Sequence, residues 1–320
     1  MHTSGIRNGR FTPIVRALAG AALAALVFAG GTGCQARKDA PAQTKQDKKI
    51  ILGFSQIGAE SAWRMCNSRS VKDAAAEHGI QLIFENAEQK QENQIKALRS
   101  FIAFQVDVIA FVPIVTDGWD NVLQEAKDAG IPVLVTDRKI NTSDPSLFAG
   151  FIGTDSHLEG RNAARFIRRK FEAARRKGTF ADRPVRIVEL TGTEGSSVAM
   201  GRAEGFRAEL GDDPRYGIVH SESGDFLRSK GYEVMLSVID GVRDIDAIFS
   251  HNDSMTLGII DALKLKGYRP GKDIMIVTID AEQASIDALR AGEVNCVIEC
   301  NPKTGPAIMD LTEKLARSEP

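Results

Sequence analysis

Val106-Asp107-Val108-Ile109-Ala110-Phe111-Val112-Pro113-Ile114-Val115 runs almost without polar interruption and stops at Thr116-Asp117-Gly118-Trp119. A short apolar run rich in β-branched residues and closed by turn formers reads as a strand buried on both faces, as in a parallel sheet. We place that strand over residues 106–112. Upstream lies a helix over 91–104, with Ile95, Leu98 and Ile102 at helical spacing. Before it come a strand over 81–85, a helix over 61–79 stopped by Gly79, and a strand over 50–54. Downstream come a helix over 119–129, Gly130, and a strand over 131–136. This βαβαβαβ order demands a parallel sheet with right-handed crossovers.

A second series of similar plan begins after Gly153-Thr154-Asp155. Helices are expected over 156–176, 197–210, 229–240, 255–266 and 283–291. Strands are expected over 185–190, 217–223, 247–250, 274–279 and 294–299. A last helix over 304–317 would return to the first domain. The fold class is therefore α/β: two doubly wound parallel-sheet domains joined by a hinge near 140–155 and 299–303. The domain boundaries expected are 49–152 with 301–320, and 153–300.

A chain of 320 residues suits two domains, since one core stops growing well before that size. A formal net charge of −1 gives no sign of a nucleic-acid partner. The basic run over 168–177 is too local to change that and reads as a solvated helix face. At the N-terminus, Arg7, Arg10 and Arg16 precede an apolar run over 17–29, the length of a signal-peptide core. Gly30-Gly31-Thr32-Gly33-Cys34 follows and is similar to a bacterial lipobox, with Gly31 where an aliphatic residue is usual. The expectation is a signal peptide over 1–33, a lipid on Cys34 and a polar tether over 34–48; cleavage to a soluble secreted form and an uncleaved anchor are the alternatives. Of the other cysteines, Cys296 and Cys300 share one strand face but sit too far apart to bridge. They and Cys66 read as small buried hydrophobes, or as one disulfide from Cys66 to either of the others.

Polar and aromatic residues collect where the strands end, and parallel sheets bind ligands outside those carboxyl ends. The clusters are Ser55-Gln56, Thr136-Asp137-Arg138, Ser250-His251-Asn252-Asp253 and Thr278-Ile279-Asp280, besides the one that closes on Trp119. With aromatics at only 6%, Trp63, Trp119 and Phe226 stand out, though Trp119 reads better as a loop and helix-start residue. Thr191-Gly192-Thr193-Glu194-Gly195 lacks the Lys-Ser/Thr ending of a P-loop. Neither a dinucleotide fingerprint nor a GxSxG elbow is present, and no metal-ligand spacing occurs, so an enzyme, a cofactor and a metal are not expected.

Four stretches carry a resemblance. They are Gly53-Phe54-Ser55-Gln56-Ile57-Gly58-Ala59-Glu60-Ser61-Ala62-Trp63-Arg64, Glu88-Gln89-Lys90-Gln91-Glu92-Asn93-Gln94-Ile95, Asp137-Arg138 and Gly224-Asp225-Phe226. Over roughly 48–318 the chain resembles the ribose/galactose-type periplasmic sugar-binding proteins of bacterial ABC importers, and within them a furanose-binding branch. The resemblance implies a type I periplasmic-binding fold and a monosaccharide ligand, galactofuranose first. It also implies an ABC permease with a cytoplasmic ATPase as partner, and a monomer. A sensor feeding a chemoreceptor or sensor kinase is the alternative use of the same fold. A repressor of this fold would need an N-terminal helix-turn-helix, where residues 1–49 hold a signal and tether. The resemblance also implies a final strand and hinge crossing beyond Pro320, and an uncharged residue where Glu194 stands.

A sugar needs paired donors and acceptors plus an apolar platform. Arginine offers a planar fork of donors and aspartate two acceptor oxygens. Asp137 and Arg138 suit this at one strand end, with Trp63 for stacking and Arg64 for donation at the start of the first helix. Ser55, Gln56 and Glu60 are further candidates in the first domain. The resemblance adds Arg202 and a stacking Phe226 in the second; Asn252 and Asp280 lie at strand ends there and match it too. Glu299, on the hinge strand, is the last candidate. His251 reads as a structural hydrogen-bonder and Asp253 as the cap of the following helix.

Overall fold

The structure, a computed structural model, describes residues 49–318. The expected signal peptide, Cys34 and the tether lie outside the described residues. Within them the chain alternates strand and helix: β1 (Ile51–Gln56), α1 (Ala62–Glu77), β2 (Gln81–Asn86), α2 (Gln91–Ala103), β3 (Val108–Phe111), α3 (Asp120–Asp128), β4 (Val133–Thr136) and β5 (Gly150–Ile152). Then come α4 (Ser156–Arg176), β6 (Val185–Thr191), α5 (Ser197–Leu210), β7 (Tyr216–Ser223), α6 (Arg228–Gly241), β8 (Ala247–Ser250), α7 (Asp253–Leu265), β9 (Met275–Asp280), α8 (Gln283–Arg290), β10 (Cys296–Glu299) and α9 (Gly305–Ala316).

The strands form two five-stranded sheets, ordered β2-β1-β3-β4-β5 and β10-β9-β8-β6-β7. Every strand pair is parallel. Taken from the β7 edge, the second sheet repeats the order of the first. Each sheet has its topological switch beside its first strand, at β1/β3 and β6/β8. Helices cover the sheets and bury continuous apolar cores, such as Leu52, Phe54 and Val108 in one lobe and Ile187, Phe249 and Val277 in the other. Ile308 and Met309 of α9 belong to the core of the first lobe, where α9 packs on α1 and β3.

Several details differ from the sequence reading. The strand β5 and a 3-10 turn at Pro145–Leu147 lie in the stretch read as hinge. Three residues are too few to show a period, yet β5 completes the first sheet by pairing with β4. The cap of α7 is Asn252, whose side chain accepts from Met255 N, and not Asp253, which lies inside the first turn. Trp119 is fully buried against Phe111 at 4.9 Å and donates from Nε1 to Val115 O at 2.8 Å, so it belongs to the core of the first lobe. Cys66, Cys296 and Cys300 are free thiols, so no disulfide from Cys66 forms.

Candidate functional site

Between the lobes lies a cavity with about 340 Å³ of space free of protein atoms, the open solvent at its mouth included. Its lining comes from the carboxyl ends of strands in both sheets and the helix starts that follow. The first lobe supplies Glu60, Ser61, Trp63, Arg64, Asp137 and Arg138; the second supplies Val198, Arg202, Phe226, Asn252, Asp280 and Cys300. Of the expected residues, Ser55, Gln56 and Glu299 are not part of this lining. Ser55 and Gln56 are fully buried on β1. The Gln56 amide is used internally, donating to Asn67 Oδ1 at 2.9 Å and accepting from Ile57 N at 3.0 Å. Glu299 ends the edge strand β10 with its side chain exposed, and the next residue, Cys300, turns inward instead.

The first-lobe half is an ion-pair chain. Arg64 reaches Glu60 Oε1 from Nε at 3.1 Å and Asp137 Oδ2 from Nη2 at 2.8 Å. Its guanidinium lies 4.7 Å from the centroid of the Trp63 ring, the ring expected to stack on a sugar. Arg138 donates from Nη1 to Ile114 O at 2.9 Å. Burial lowers the Arg138 guanidinium to about 10, with the Arg64 charge adding to the shift, so it remains a cation at neutral pH. Glu60 Oε2, Arg64 Nη1 and Arg138 Nε are buried without a hydrogen-bond partner.

Arg202 organises the second half. Its Nε donates to Glu159 Oε2 at 2.8 Å, its Nη1 donates to His251 O, and its Nη2 stands 3.5 Å from Asp280 Oδ1. Glu159 was not a sequence candidate. It reaches Arg202 because α4 and α5 cross backbone to backbone: a Cβ at Gly160 would overlap Arg202 O, and one at Gly205 would overlap His157 O. Burial works against the Arg202 charge, but Glu159 and Asp280 more than offset it and raise the group above its ordinary value. Burial pushes the Asp280 carboxyl well above the usual carboxylate range despite the pull of Arg202. Below this layer, buried His251 pairs with Glu189 at 3.2 Å. Burial opposes ionisation of Glu189, yet hydrogen bonds from His251, Arg207 and Ser221 hold it at about 2.

Phe226 lies between Gly192 and the arginines. A Cβ at Gly192 would overlap the ring, while Arg138 and Arg202 stand 5.3 and 5.9 Å from its centroid. Asn252 donates from Nδ2 to Phe226 O at 3.2 Å while capping α7 with its oxygen. Backbone strain gathers here. Asp137, Asp225, Phe226, Asp280 and Ala281 have φ of 61°, 53°, 60°, 131° and 71°, outside the range most side chains adopt. Such outliers persist where the surroundings over-determine them, commonly at ligand clamps.

The lobes touch on both sides of the cavity. Thr116 N donates to Gly195 O at 2.9 Å and Lys139 N to Ser197 Oγ at 2.7 Å. Trp63 donates from Nε1 to Cys300 O at 2.7 Å. These contacts, the paired strained turns and two half-sites on two parallel sheets describe a clamp. A family-model match agrees: a periplasmic binding protein domain covers residues 52–320. The chain belongs to the periplasmic binding protein family.

Membership implies an extracytoplasmic location, and among the described residues no helix is long and apolar enough to cross a membrane. The chain is 41% identical over 268 residues to the galactofuranose-binding protein YtfQ of Escherichia coli (strain K12), covering 83% of this chain and 81% of that one. A Mycobacterium smegmatis structure in complex with β-D-fucofuranose is 45% identical, with a TM-score of 0.81 over 85% of this chain and 87% of that one. The binding component of the arabinose ABC transporter from Shewanella sp. ANA-3, bound to α- and β-L-arabinofuranose, is 41% identical. Its TM-score is 0.79 over 84% of this chain and 87% of that one.

Proposed function

We propose that this chain captures a monosaccharide between its lobes outside the cytoplasm and delivers it to an ABC permease driven by a cytoplasmic ATPase. One observation carries the reading: Glu60 Oε2, Arg64 Nη1 and Arg138 Nε are buried, unpaired and set on residues that line one cavity. A buried unpaired polar atom is costly, so these call for a partner. Sugar hydroxyls both donate and accept, and thus satisfy a carboxylate oxygen and two N–H groups at once. The lining sets three carboxyl groups, Glu60, Asp137 and Asp280, among three arginines, Arg64, Arg138 and Arg202, and this near balance favours a neutral ligand over an ion. Glu60, Trp63, Arg64, Asp137, Arg138, Arg202, Phe226, Asn252 and Asp280 are the residues assigned to it.

A five-membered sugar ring is the preferred ligand, galactofuranose first, because the relatives described above carry furanoses in their names. In this reading residues 49–152 with 301–320 form one lobe and 153–300 the other, and Cys34 carries the lipid that tethers a monomer to the membrane. Titration calorimetry and thermal shift with furanose and pyranose sugars test the reading. Tight binding of a furanose is expected; no heat and no shift with any sugar would overturn it. Incorporation of labelled fatty acid, abolished in Cys34→Ala, tests the anchor separately.

A further inference from the structure

Glu282 stands just outside the cavity lining, on the turn between β9 and α8 of the second lobe. Its Oε1 accepts a hydrogen bond from Trp63 N of the first lobe at 2.9 Å. That N–H is among the four a helix start leaves without an internal partner. The N-cap of α1, Ser61, serves Arg64 N only, and the first turn of α1 holds no acidic residue. The carboxylate that suits the positive end of this helix therefore comes from the opposite lobe. Ser254 Oγ donates to the same Oε1 at 3.3 Å, and Glu282 N donates to Asp253 Oδ2 at 2.7 Å, so the side chain is held in place.

Two further observations tie this contact to ligand capture. Glu282 follows directly on the strained pair Asp280-Ala281. One side of that turn presents Asp280 to the cavity, and the other presents Glu282 to α1. Trp63 itself is 7% exposed and packs in the core cluster of the second lobe, although it belongs to α1 of the first.

We propose that Glu282 is a positioning residue that caps α1 across the lobe boundary and so sets how tightly the lobes close on the ligand. It touches no sugar. Separation of the lobes leaves Trp63 N to water and strips the indole of its packing, so the cap adds to affinity through closure alone. For affinity, the inference rests on the sugar-capture reading above.

Glu282→Ala and Glu282→Gln test it, with two readouts. The first is tryptophan emission of the sugar-free protein. Trp119 is fully buried in the core and constant, so a change reports Trp63. Glu282→Ala is expected to shift emission to the red, and Glu282→Gln, which keeps an oxygen acceptor, to shift it less. The second is furanose affinity. Loss of the cap should raise Kd about five- to tenfold, through faster release at an unchanged association rate. Glu282→Gln should recover most of it. Wild-type emission together with wild-type affinity in Glu282→Ala would overturn the proposal, as would a loss confined to the association rate. A wild-type protein that binds no sugar at all sinks the sugar reading alone, and the emission comparison then decides the cap.

Discussion

Arg138 donates once to the backbone, lies near the Phe226 ring and keeps Nε without a partner. Truncation to alanine removes donors aimed at the ligand and leaves the ring uncovered. Arg138→Ala should weaken furanose binding by about 2–4 kcal/mol, roughly thirty- to a thousandfold, by calorimetry. The sugar-free fold should survive, because burial already disfavours this cation. Lysine should not restore binding, since it lacks the planar fork. Asp253 offers a different test. Burial raises its carboxyl to about 7, with the Glu282 charge adding to the shift against hydrogen bonds from Thr278 and Glu282 N. Its folded value lies above the unfolded one, so the native state holds the extra proton between the two. Stability should therefore fall as pH rises from about 4 to about 7, by roughly 1–3 kcal/mol. Urea melts across that range should show the slope, and Asp253→Asn should reduce it, the remainder belonging to the raised Asp280 carboxyl. Asp137, Arg138, Asn252 and Asp280 were legible in the sequence because parallel strands end where ligands bind. Glu159 and Glu282 were not, because one acts across a helix crossing and the other across the lobes. Neither relation leaves a pattern along the chain.

The α4–α5 crossing is the element on which Arg202 depends. Gly160 and Gly205 let the two backbones meet, and Glu159 then reaches Arg202 Nε at 2.8 Å. Gly205→Ala puts a methyl group into His157 O and wedges the helices apart. Overpacking of this kind costs about 1–3 kcal/mol, measured by urea unfolding. Affinity should fall as well, about tenfold, as Arg202 loses its aim. Gly241→Ala, where a Cβ meets nothing within 4 Å, is the control and should change neither. The two helices themselves were readable: α4 and α5 start and stop at the expected bounds, and Asp155 and Ser196 cap their starts. Their close approach was not, since a glycine in a helix signals contact without naming the partner. The short β5 was hidden for a related reason. Its three residues carry no period, and only pairing with β4 makes them a strand.

At the scale of the whole molecule, two sheets of the same order each present half a site, and neither half alone encloses the cavity. Ligand binding energy is then spent partly on holding the lobes together, and the closed form is the one that a sugar stabilises. A ligand that binds only the native state adds about 2.7 kcal/mol at a hundred times its Kd. For a chain of this size that should raise the melting midpoint by about 4–5 °C, measured by calorimetry. The electrostatics fix how this gain responds to salt. The ion pairs Arg64–Asp137 and Arg202–Glu159 are buried at 2.8 Å each, and the proposed ligand is neutral. Screening acts on exposed charges separated by more than a Debye length, so these contacts should escape it. The midpoint shift should therefore be nearly equal at about 0.05 M and about 0.5 M salt. A shift that collapses at the higher salt would mean that a charged ligand, not a neutral sugar, fits the cavity.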